Sequence, residues 1–334
     1  MIILGIETSC DDTGVAVIRV SNKKRPIFEI LSSVVSSQIK VHQKYGGIVP
    51  NLAAREHLKN IEPCLRTALK EANTKPEQID LIAVTIGPGL IPSLLIGVHF
   101  AKALAYKWQK PIIGINHIEA HIAASCFENK IKFPAIALVV SGGHTQLVLV
   151  KKIGNYKIIG ETRDDAAGEC FDKVAKLLNL GYPGGPEISK QAEKAKKSSI
   201  ELPRPMINHK NYDFSFSGLK TAVLYKTKKQ KVNIPEMCKE TQQAIIDVLI
   251  EKTIRAAKEY KAKTIILSGG VAANEELRKQ LQITSYKLQV NFLVPPKNLC
   301  TDNAAMIAIT GYFNKEKATK KYNKVKANAN LRIS

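Results

Sequence analysis

Apolar residues along the chain follow two periods, one typical of buried strands and one typical of amphipathic helices. Residues 2–20 and residues 135–152 share one pattern: an apolar strand, a short polar turn and a second apolar strand. This pattern predicts a β-hairpin in each segment. Strand and helix patterns alternate after each hairpin, so we predict two similar α/β lobes in tandem.

The same periodicity places the main elements that follow the hairpins. Helical spacing covers residues 52–72, 92–108, 168–180, 235–260 and about 302–313. Buried strands are predicted at residues 79–89 and 111–117 and within 263–274, where a Gly-rich turn follows. We assign residues 1–125 and about 302–314 to the first lobe, 126–301 to the second and 315–334 to a basic tail. The tail has no apolar period, so we expect a mobile end.

Composition narrows the class of protein. The 334 residues suffice for two cores. The six cysteines form no C-x-x-C pair, which is typical of reduced thiols in a cytosolic protein. The N-terminus lacks the basic region of a signal peptide, and no apolar run of about 18 residues occurs. We therefore expect a cytoplasmic protein that does not bind membranes.

The net charge of +21 suggests a polyanionic partner, with nucleic acid as the leading candidate. Lysine greatly outnumbers arginine, and such a bias also arises from an AT-rich genome, so both explanations remain open. The candidate contacts to a nucleic-acid backbone are the tail lysines and two clusters, Lys194, Lys196 and Lys197, and Lys226, Lys228, Lys229 and Lys231.

Two histidines lie at i and i+4 just after a predicted strand. His117 and His121 would share one face of a helix that Asn116 can cap, and this spacing lets two imidazoles bind one metal ion. The alternative is a pair of hydrogen-bonded histidines without a metal. Asp302, at the start of a later helix, is the candidate third ligand, although Asp302 or Thr301 could instead cap that helix.

Zinc proteases carry a similar histidine pair with a glutamate next to the first histidine. Here the acid is Glu119, two residues after His117. At about 100° per residue it points about 200° away from His117, off the face that would hold the metal. This geometry excludes a protease mechanism with Glu119 as the base.

Gly-rich turns supply a second candidate site. Gly142 and Gly143 in the second hairpin allow backbone N–H groups to converge on an anion, and His144 could donate to a phosphate or a carbonyl. Asn274 follows another Gly-rich turn and could reach a ribose or a base. With the YPGGP loop at 182–186, these turns suggest a nucleotide cleft.

The tip of the first hairpin carries adjacent carboxylates. A turn explains one of Asp11 and Asp12, and the other is a candidate for binding a metal, acting as a base or assisting the leaving group.

Several long motifs resemble one family in the same order along the chain. They are GIETSCDDTG (5–14), HQKYGGIVPNLAAREH (42–57), IGPGLIPSLLIGVHFAKALA (86–105), NHIEAH (116–121), VSGGHTQL (140–147), DDAAGECFDKVAKLLNLGYPGGP (164–186), FSFSGLKTA (214–222), SGGVAANEELR (268–278) and CTDNAAM (300–306). The chain thus resembles the bacterial or mitochondrial type of tRNA N6-adenosine threonylcarbamoyltransferase, formerly called O-sialoglycoprotein endopeptidase.

The resemblance implies a two-lobed actin-like ATPase fold, shared with sugar kinases and heat-shock ATPases, with a central ligand cleft. It implies one divalent metal ion, iron or zinc, on His117, His121 and Asp302. It also implies that threonylcarbamoyl-adenylate is the bound substrate. The matching ligand-binding positions are Val140, Ser141, Gly142, Gly143, His144, Asp172, Gly185 and Asn274.

The implied reaction transfers the threonylcarbamoyl group to N6 of adenosine 37 in tRNAs that read codons beginning with adenine, and it releases AMP. Asp11, Asp12 and His144 are our catalytic candidates. Implied partners are tRNA, an inactive paralogue, a small P-loop ATPase and the synthase that makes the adenylate. The alternatives are a small-molecule kinase or carbamoyltransferase on the same fold, or a non-catalytic ATP-binding switch.

Two positions depart from the family pattern. Many bacterial members have Asp-Glu where this chain has Asp11-Asp12, which leaves the role of Asp12 open. Some members have Asp at the position of Ser189, so we transfer no ligand contact to that residue.

Overall fold

The computed structural model describes residues 1–21, 26–127, 129–229 and 231–334. They form two compact units: Met1–Lys130 together with Pro295–Ser334, and Ile131–Val294. The strands of the described chain are β1 Ile2–Glu7, β2 Asp12–Ser21, β3 Ile27–Ser37, β4 Leu81–Gly87, β5 Ile112–Asn116, β6 Ala135–Val140, β7 Thr145–Lys152, β8 Asn155–Glu161, β9 Thr264–Ser268 and β10 Asn291–Leu293.

Helices connect these strands within each unit, and the five helices whose bounds periodicity predicts, α2, α3, α5, α8 and α10, lie within three residues of those bounds. They are α1 Ile39–Gln43, α2 Pro50–Glu71, α3 Ile91–Trp108, α4 His117–Ala123, α5 Ala167–Leu177, α6 Gly184–Ala192, α7 Ser217–Lys229, α8 Ile234–Glu259, α9 Glu275–Lys287 and α10 Ala304–Phe313. None of the helices in these ranges is long and apolar enough to cross a membrane.

The two units contain the same sheet topology. The first sheet has the order β3-β2-β1-β4-β5, and the second has β10-β9-β6-β7-β8. In each, the first strand pairs antiparallel with a hairpin partner on one side and parallel with a later strand on the other. Both predicted hairpins and the duplicated α/β architecture are therefore confirmed.

Strand β1 is buried on both faces, which explains its continuous apolar run. Ile3 belongs to the core under α10, whereas Leu4 and Ile6 belong to the core formed with α2 and α3. Helix α10 is apolar all round because its residues from Ala304 to Tyr312 are buried.

In the second unit, the candidate ligand loops follow the carboxyl ends of neighbouring parallel strands. Ser141 comes directly after β6, and Gly269 comes directly after β9. Gly269 has φ +87° and packs so closely on Val140 that a Cβ would overlap the Val140 carbonyl. This edge of an open α/β sheet is the usual place for a ligand.

The expectation of a mobile basic tail is wrong. Thr319 forms a β-bridge with Ile112 on the edge strand β5, and Asn328 N donates to the Ile86 carbonyl at 2.7 Å. Val325 is part of the core formed by α2 and α3. The tail's few apolar residues are too irregularly spaced to give a periodic signal. Its backbone nevertheless covers the edge strand β5, and Val325 adds to the core.

Gly5 allows α10 to lie directly on β1, since a Cβ at this position would overlap the Ala304 carbonyl. We expect Gly5→Ala to destabilise the protein by about 1–3 kcal/mol, because neither backbone can move freely within the packed core. Chemical denaturation measures this change. Gly218→Ala in α7 is the matched control, since a Cβ there meets only Pro205 Cγ at 3.9 Å and the change favours the helix. Equal stability of the two variants would contradict the prediction.

Lys252 is a fully buried cation in α8. Its Nζ donates to the Asn211 carbonyl at 3.1 Å and lies 5.9 Å from the centroid of the Phe214 ring. Burial, and secondarily repulsion from Arg255, lowers the pKa of Lys252 from 10.5 to about 8. The charged form therefore opposes folding at neutral pH.

Because the folded pKa of Lys252 lies below its unfolded value, stability should rise as pH rises from about 8 to 10.5. We expect Lys252→Met to be at least as stable as the wild type at pH 7, since Arg255 still donates to the Asn211 carbonyl. Its advantage should shrink across this pH window. Urea unfolding of both proteins at several pH values measures the difference, and a constant difference would contradict the assignment.

Candidate metal and nucleotide sites

Helix α4 begins directly after β5 and presents both histidines on one face. Asn116 caps the helix by accepting hydrogen bonds from the backbone N–H groups of Ile118 and Glu119, at 2.9 and 3.1 Å. His117 and His121 are both buried, and their ring centroids are 4.6 Å apart. The predicted i, i+4 pair and its cap are thus confirmed.

Asp302 approaches the same point from the other end of the chain. Its Oδ1 lies 3.2 Å from His121 Nε2 and 3.5 Å from His117 Nε2, and the two Nε2 atoms are 3.2 Å apart. One ligand atom from each residue lies within 4.8 Å of the others. The capping alternative for Asp302 is wrong, because Asn303 caps α10 by accepting from Met306 N at 2.9 Å.

A buried carboxylate fixes the orientation of the first histidine. Glu7 Oε2 lies 3.0 Å from His117 Nδ1 and also accepts from the Thr85 hydroxyl at 2.7 Å. Ser9 Oγ lies 3.2 Å from the same Nδ1. With Nδ1 protonated toward Glu7, the lone pair of His117 Nε2 points toward His121 and Asp302. A carboxylate behind a histidine is a common support for a metal ligand.

Sequence reasoning missed Glu7, although a signal was present. It is a charged residue at the end of an otherwise apolar strand, and its side chain is fully buried. A buried carboxylate needs a hydrogen-bond or charged partner. A histidine just after another strand of the same sheet, such as His117, can supply it.

The electrostatics of this cluster favour a positive charge. Burial disfavours the imidazolium of His117, but the carboxylates of Asp302 and Glu7 outweigh burial and raise its pKa to about 9. Burial lowers the pKa of His121 and outweighs the hydrogen bond with Asp302, which acts to raise it. The same carboxylates would compensate the charge of a divalent cation bound by both imidazoles and Asp302, so the donor set suits such an ion.

The hairpin tip in the first unit brings further carboxylates near this cluster. Burial, and then the Asp302 carboxylate, raises the pKa of Asp11. Burial and the neighbouring Asp11 raise the pKa of Asp12 to about 7, although the Ser37 side chain and the Gln38 backbone bind its charged form. The pKa of Asp12 thus lies near the range in which proton transfer occurs at neutral pH, and the pKa of Asp11 is shifted in the same direction.

Glu119 lies off the face shared by the histidines and accepts a hydrogen bond from Asn314 Nδ2 at 2.9 Å. This contact joins α4 to the end of α10. The geometric argument against a protease is therefore supported.

In the second unit, the turn after β6 is tight and open to solvent. Ser141 N donates to the His144 carbonyl at 2.8 Å, and His144 N donates to Ser141 Oγ at 3.1 Å. A Cβ at Gly142 or at Gly143 would meet no other atom within 4 Å. The turn therefore leaves room for a ligand to approach the backbone.

The remaining predicted ligand residues lie around helix α6. Asp172 Oδ1 accepts from Gly184 N at 2.7 Å, and a Cβ at Gly185 would meet open space. Asn274 Oδ1 caps α9 by accepting from Leu277 N at 2.9 Å. Its Nδ2 donates to Ser189 Oγ at 3.0 Å and to the oxygen of a side chain that sequence reasoning missed, Gln242 Oε1, at 2.9 Å.

Comparisons with known proteins agree with these observations. A family model described as tRNA N6-adenosine threonylcarbamoyltransferase matches residues 29–309. The protein of that name from Thermosipho africanus is 50% identical over the full length of both chains. Its counterpart from Thermosipho melanesiensis is 52% identical over 93% of this chain and 94% of its own.

Two solved structures share the fold at low identity. Full-length HypF in its phosphate- and nucleotide-bound form has a TM-score of 0.59 and 13% identity, covering 92% of this chain and 54% of its own. The activator of 2-hydroxyisocaproyl-CoA dehydratase from Clostridium difficile, with bound ADPNP, has a TM-score of 0.53 and 12% identity, covering 95% and 98%. These similarities confirm the predicted actin-like ATPase fold.

The match of the family model and the identity over the whole chain are independent of the site geometry, and both lead to the same conclusion. The chain belongs to the tRNA N6-adenosine threonylcarbamoyltransferase family.

Proposed function

We propose that this enzyme transfers the threonylcarbamoyl group of threonylcarbamoyl-adenylate to N6 of adenosine 37 in tRNA and releases AMP. The observation that carries the proposal is the convergence of His117, His121 and Asp302 in a member of this family. A small-molecule kinase or a nucleotide-dependent switch has no evident use for such a cluster. The family match also disfavours these alternatives.

We assign a divalent metal ion, iron or zinc, to His117 Nε2, His121 Nε2 and Asp302 Oδ1. When bound, the ion would hold the threonyl part of the substrate and polarise the carbonyl that is attacked. Glu7 keeps the proton of His117 on Nδ1 and leaves Nε2 free to coordinate. The open coordination positions of a three-ligand site suit a substrate.

We assign the adenylate to the loops of the second unit. The open backbone at Gly142 and Gly143 would bind the phosphate or the carbonyl oxygen, with His144 beside it. Gly185, Asp172 and the Asn274 region would bind the nucleoside. AMP is a good leaving group from a mixed anhydride, so positioning matters more here than a covalent nucleophile.

Asp11 is the proposed acceptor for a proton of the exocyclic amine. Its raised pKa makes its carboxylate a better base than an exposed aspartate. Asp12 is the second candidate, and its charge is bound by Ser37 and by the Gln38 backbone.

We also propose tRNA, an inactive paralogue and a small P-loop ATPase as partners, with the adenylate supplied by a separate synthase. Helix α2 is the candidate docking face for a protein partner, and Leu58 is 67% exposed on it.

Replacement of the carboxylate ligand tests the metal assignment. We expect Asp302→Asn to lose bound metal and transfer together, because the neutral amide no longer compensates the cation's charge. Metal analysis of the purified protein and transfer to tRNA in the presence of its partners measure the two effects. Glu119→Gln is the matched control on α4 and should keep both. Full transfer by metal-free Asp302→Asn protein would contradict the role of the metal.

The basic surface should bind the tRNA backbone. Lys228 and Lys229 are exposed at the end of α7. Changing both to Ala should reduce the slope of log affinity against log salt by about 1.5, since each neutralised phosphate contributes about 0.7 to 0.9. The same change at the exposed pair Lys151 and Lys152, outside the proposed clusters, should have little effect. A flat salt response of the wild type would instead favour codon bias as the source of the charge.

A further inference from the structure

Helix α2 sends one side chain into the turn between β1 and β2. His57 is fully buried. Its Nε2 lies 3.1 Å from the Cys10 carbonyl oxygen, and its Nδ1 lies 2.8 Å from the Thr13 hydroxyl. The imidazole therefore bridges the first and last residues of the segment that contains Asp11 and Asp12.

The partners of His57 determine its protonation. A carbonyl oxygen can only accept, so Nε2 carries the proton and donates it to Cys10. Nδ1 is then the acceptor, and the Thr13 hydroxyl donates to it. The neutral ring agrees with the pKa of His57, which burial lowers. Both ring nitrogens are thus hydrogen-bonded. A flip of the ring would place carbon atoms against the Cys10 carbonyl and the Thr13 hydroxyl.

A second network holds the same turn from its other side. The Gln38 side chain donates to the Ala53 carbonyl in α2 at 3.3 Å and accepts from His42 Nε2 at 3.1 Å. The backbone of Gln38 in turn binds the Asp12 carboxylate. Helix α2 is therefore linked to the hairpin tip through two separate sets of hydrogen bonds.

A simple structural role for His57 would require only that its nitrogens be satisfied somewhere in the core. Instead, its two partners flank the adjacent carboxylates that we assign to proton transfer. Two neighbouring, partly buried carboxylates repel each other, so their geometry needs an external restraint. His57 provides such a restraint from an element that is distant in sequence.

We propose that His57 is a positioning residue for transfer, which fixes Asp11 and Asp12 by bridging Cys10 and Thr13. This inference rests on the proposed function, because it concerns the proton-transfer step of that reaction. His57 does not touch substrate in this proposal. It acts through the backbone of the turn, so its loss should affect catalysis more than substrate binding.

Three variants test the bridge. His57→Leu removes both hydrogen bonds, Thr13→Val removes only the bond to Nδ1, and His57→Gln restores a donor near the position of Nε2. We expect His57→Leu to lower kcat about tenfold or more, with KM for the adenylate and the metal content little changed. Thr13→Val should lower kcat less, and His57→Gln should recover a substantial part of the loss. Transfer kinetics with the partner proteins measure each effect.

Ile61→Val is the structural control, because Ile61 is buried one turn further along α2 and belongs to the core beneath it. It should lower the melting temperature while kcat stays unchanged. Three results would overturn this inference and leave the proposed function intact. They are a wild-type kcat for His57→Leu, a matching kcat loss in Ile61→Val, and no recovery by His57→Gln. Loss of metal from His57→Leu would also overturn it. Absence of transfer by the wild type would overturn the proposed function, and this inference with it.

Discussion

The close packing of α10 on the first hairpin is the constraint on which the proposed metal site depends. Gly5 has no Cβ, which leaves room for the Ala304 carbonyl, and Gly14 packs against the Ala304 backbone from the neighbouring strand. Asp302 lies two residues before this contact and 181 residues from His121. Its carboxylate can meet the histidines only because the backbone of α10 lies directly on the sheet. Glycine at positions 5 and 14 is therefore required by the packing of α10 and not by contact with a substrate.

The two units use the same strand order with opposite chemistry at equivalent turns. In the first unit the hairpin turn contains Asp11 and leads into Asp12, and Glu7 and Asp302 are nearby, so the local field attracts cations. In the second unit the turn contains Gly142 and Gly143, whose backbone amides suit an anion. A duplicated scaffold can therefore supply both kinds of site, since the turn sequence determines the charge while the sheet determines the position.

Local pattern was sufficient to predict much of this structure. The hairpins follow from alternation, and the shared face of His117 and His121 follows from helix geometry alone. Contacts between distant segments could not be read in the same way. The support of His117 by Glu7, the bridge formed by His57 and the packing of the tail all depend on the fold bringing remote residues together. The assignment of Asp302 as a ligand needed the family resemblance or the structure, because a carboxylate before a helix is usually a cap.

The discontinuous first unit also affects the order in which the protein can be built during translation. Residues 131–294 form a continuous unit that can fold as soon as they leave the ribosome. The first sheet emerges earlier, but the core on one of its faces stays incomplete until α10 has been synthesised. A nascent chain therefore exposes apolar surface until α10 emerges, and chaperones can bind this surface while the second unit is being made. Asp302, the proposed third metal ligand, follows residues 131–294 in the chain, so a metal ion could be held by all three residues only after the second unit has been synthesised.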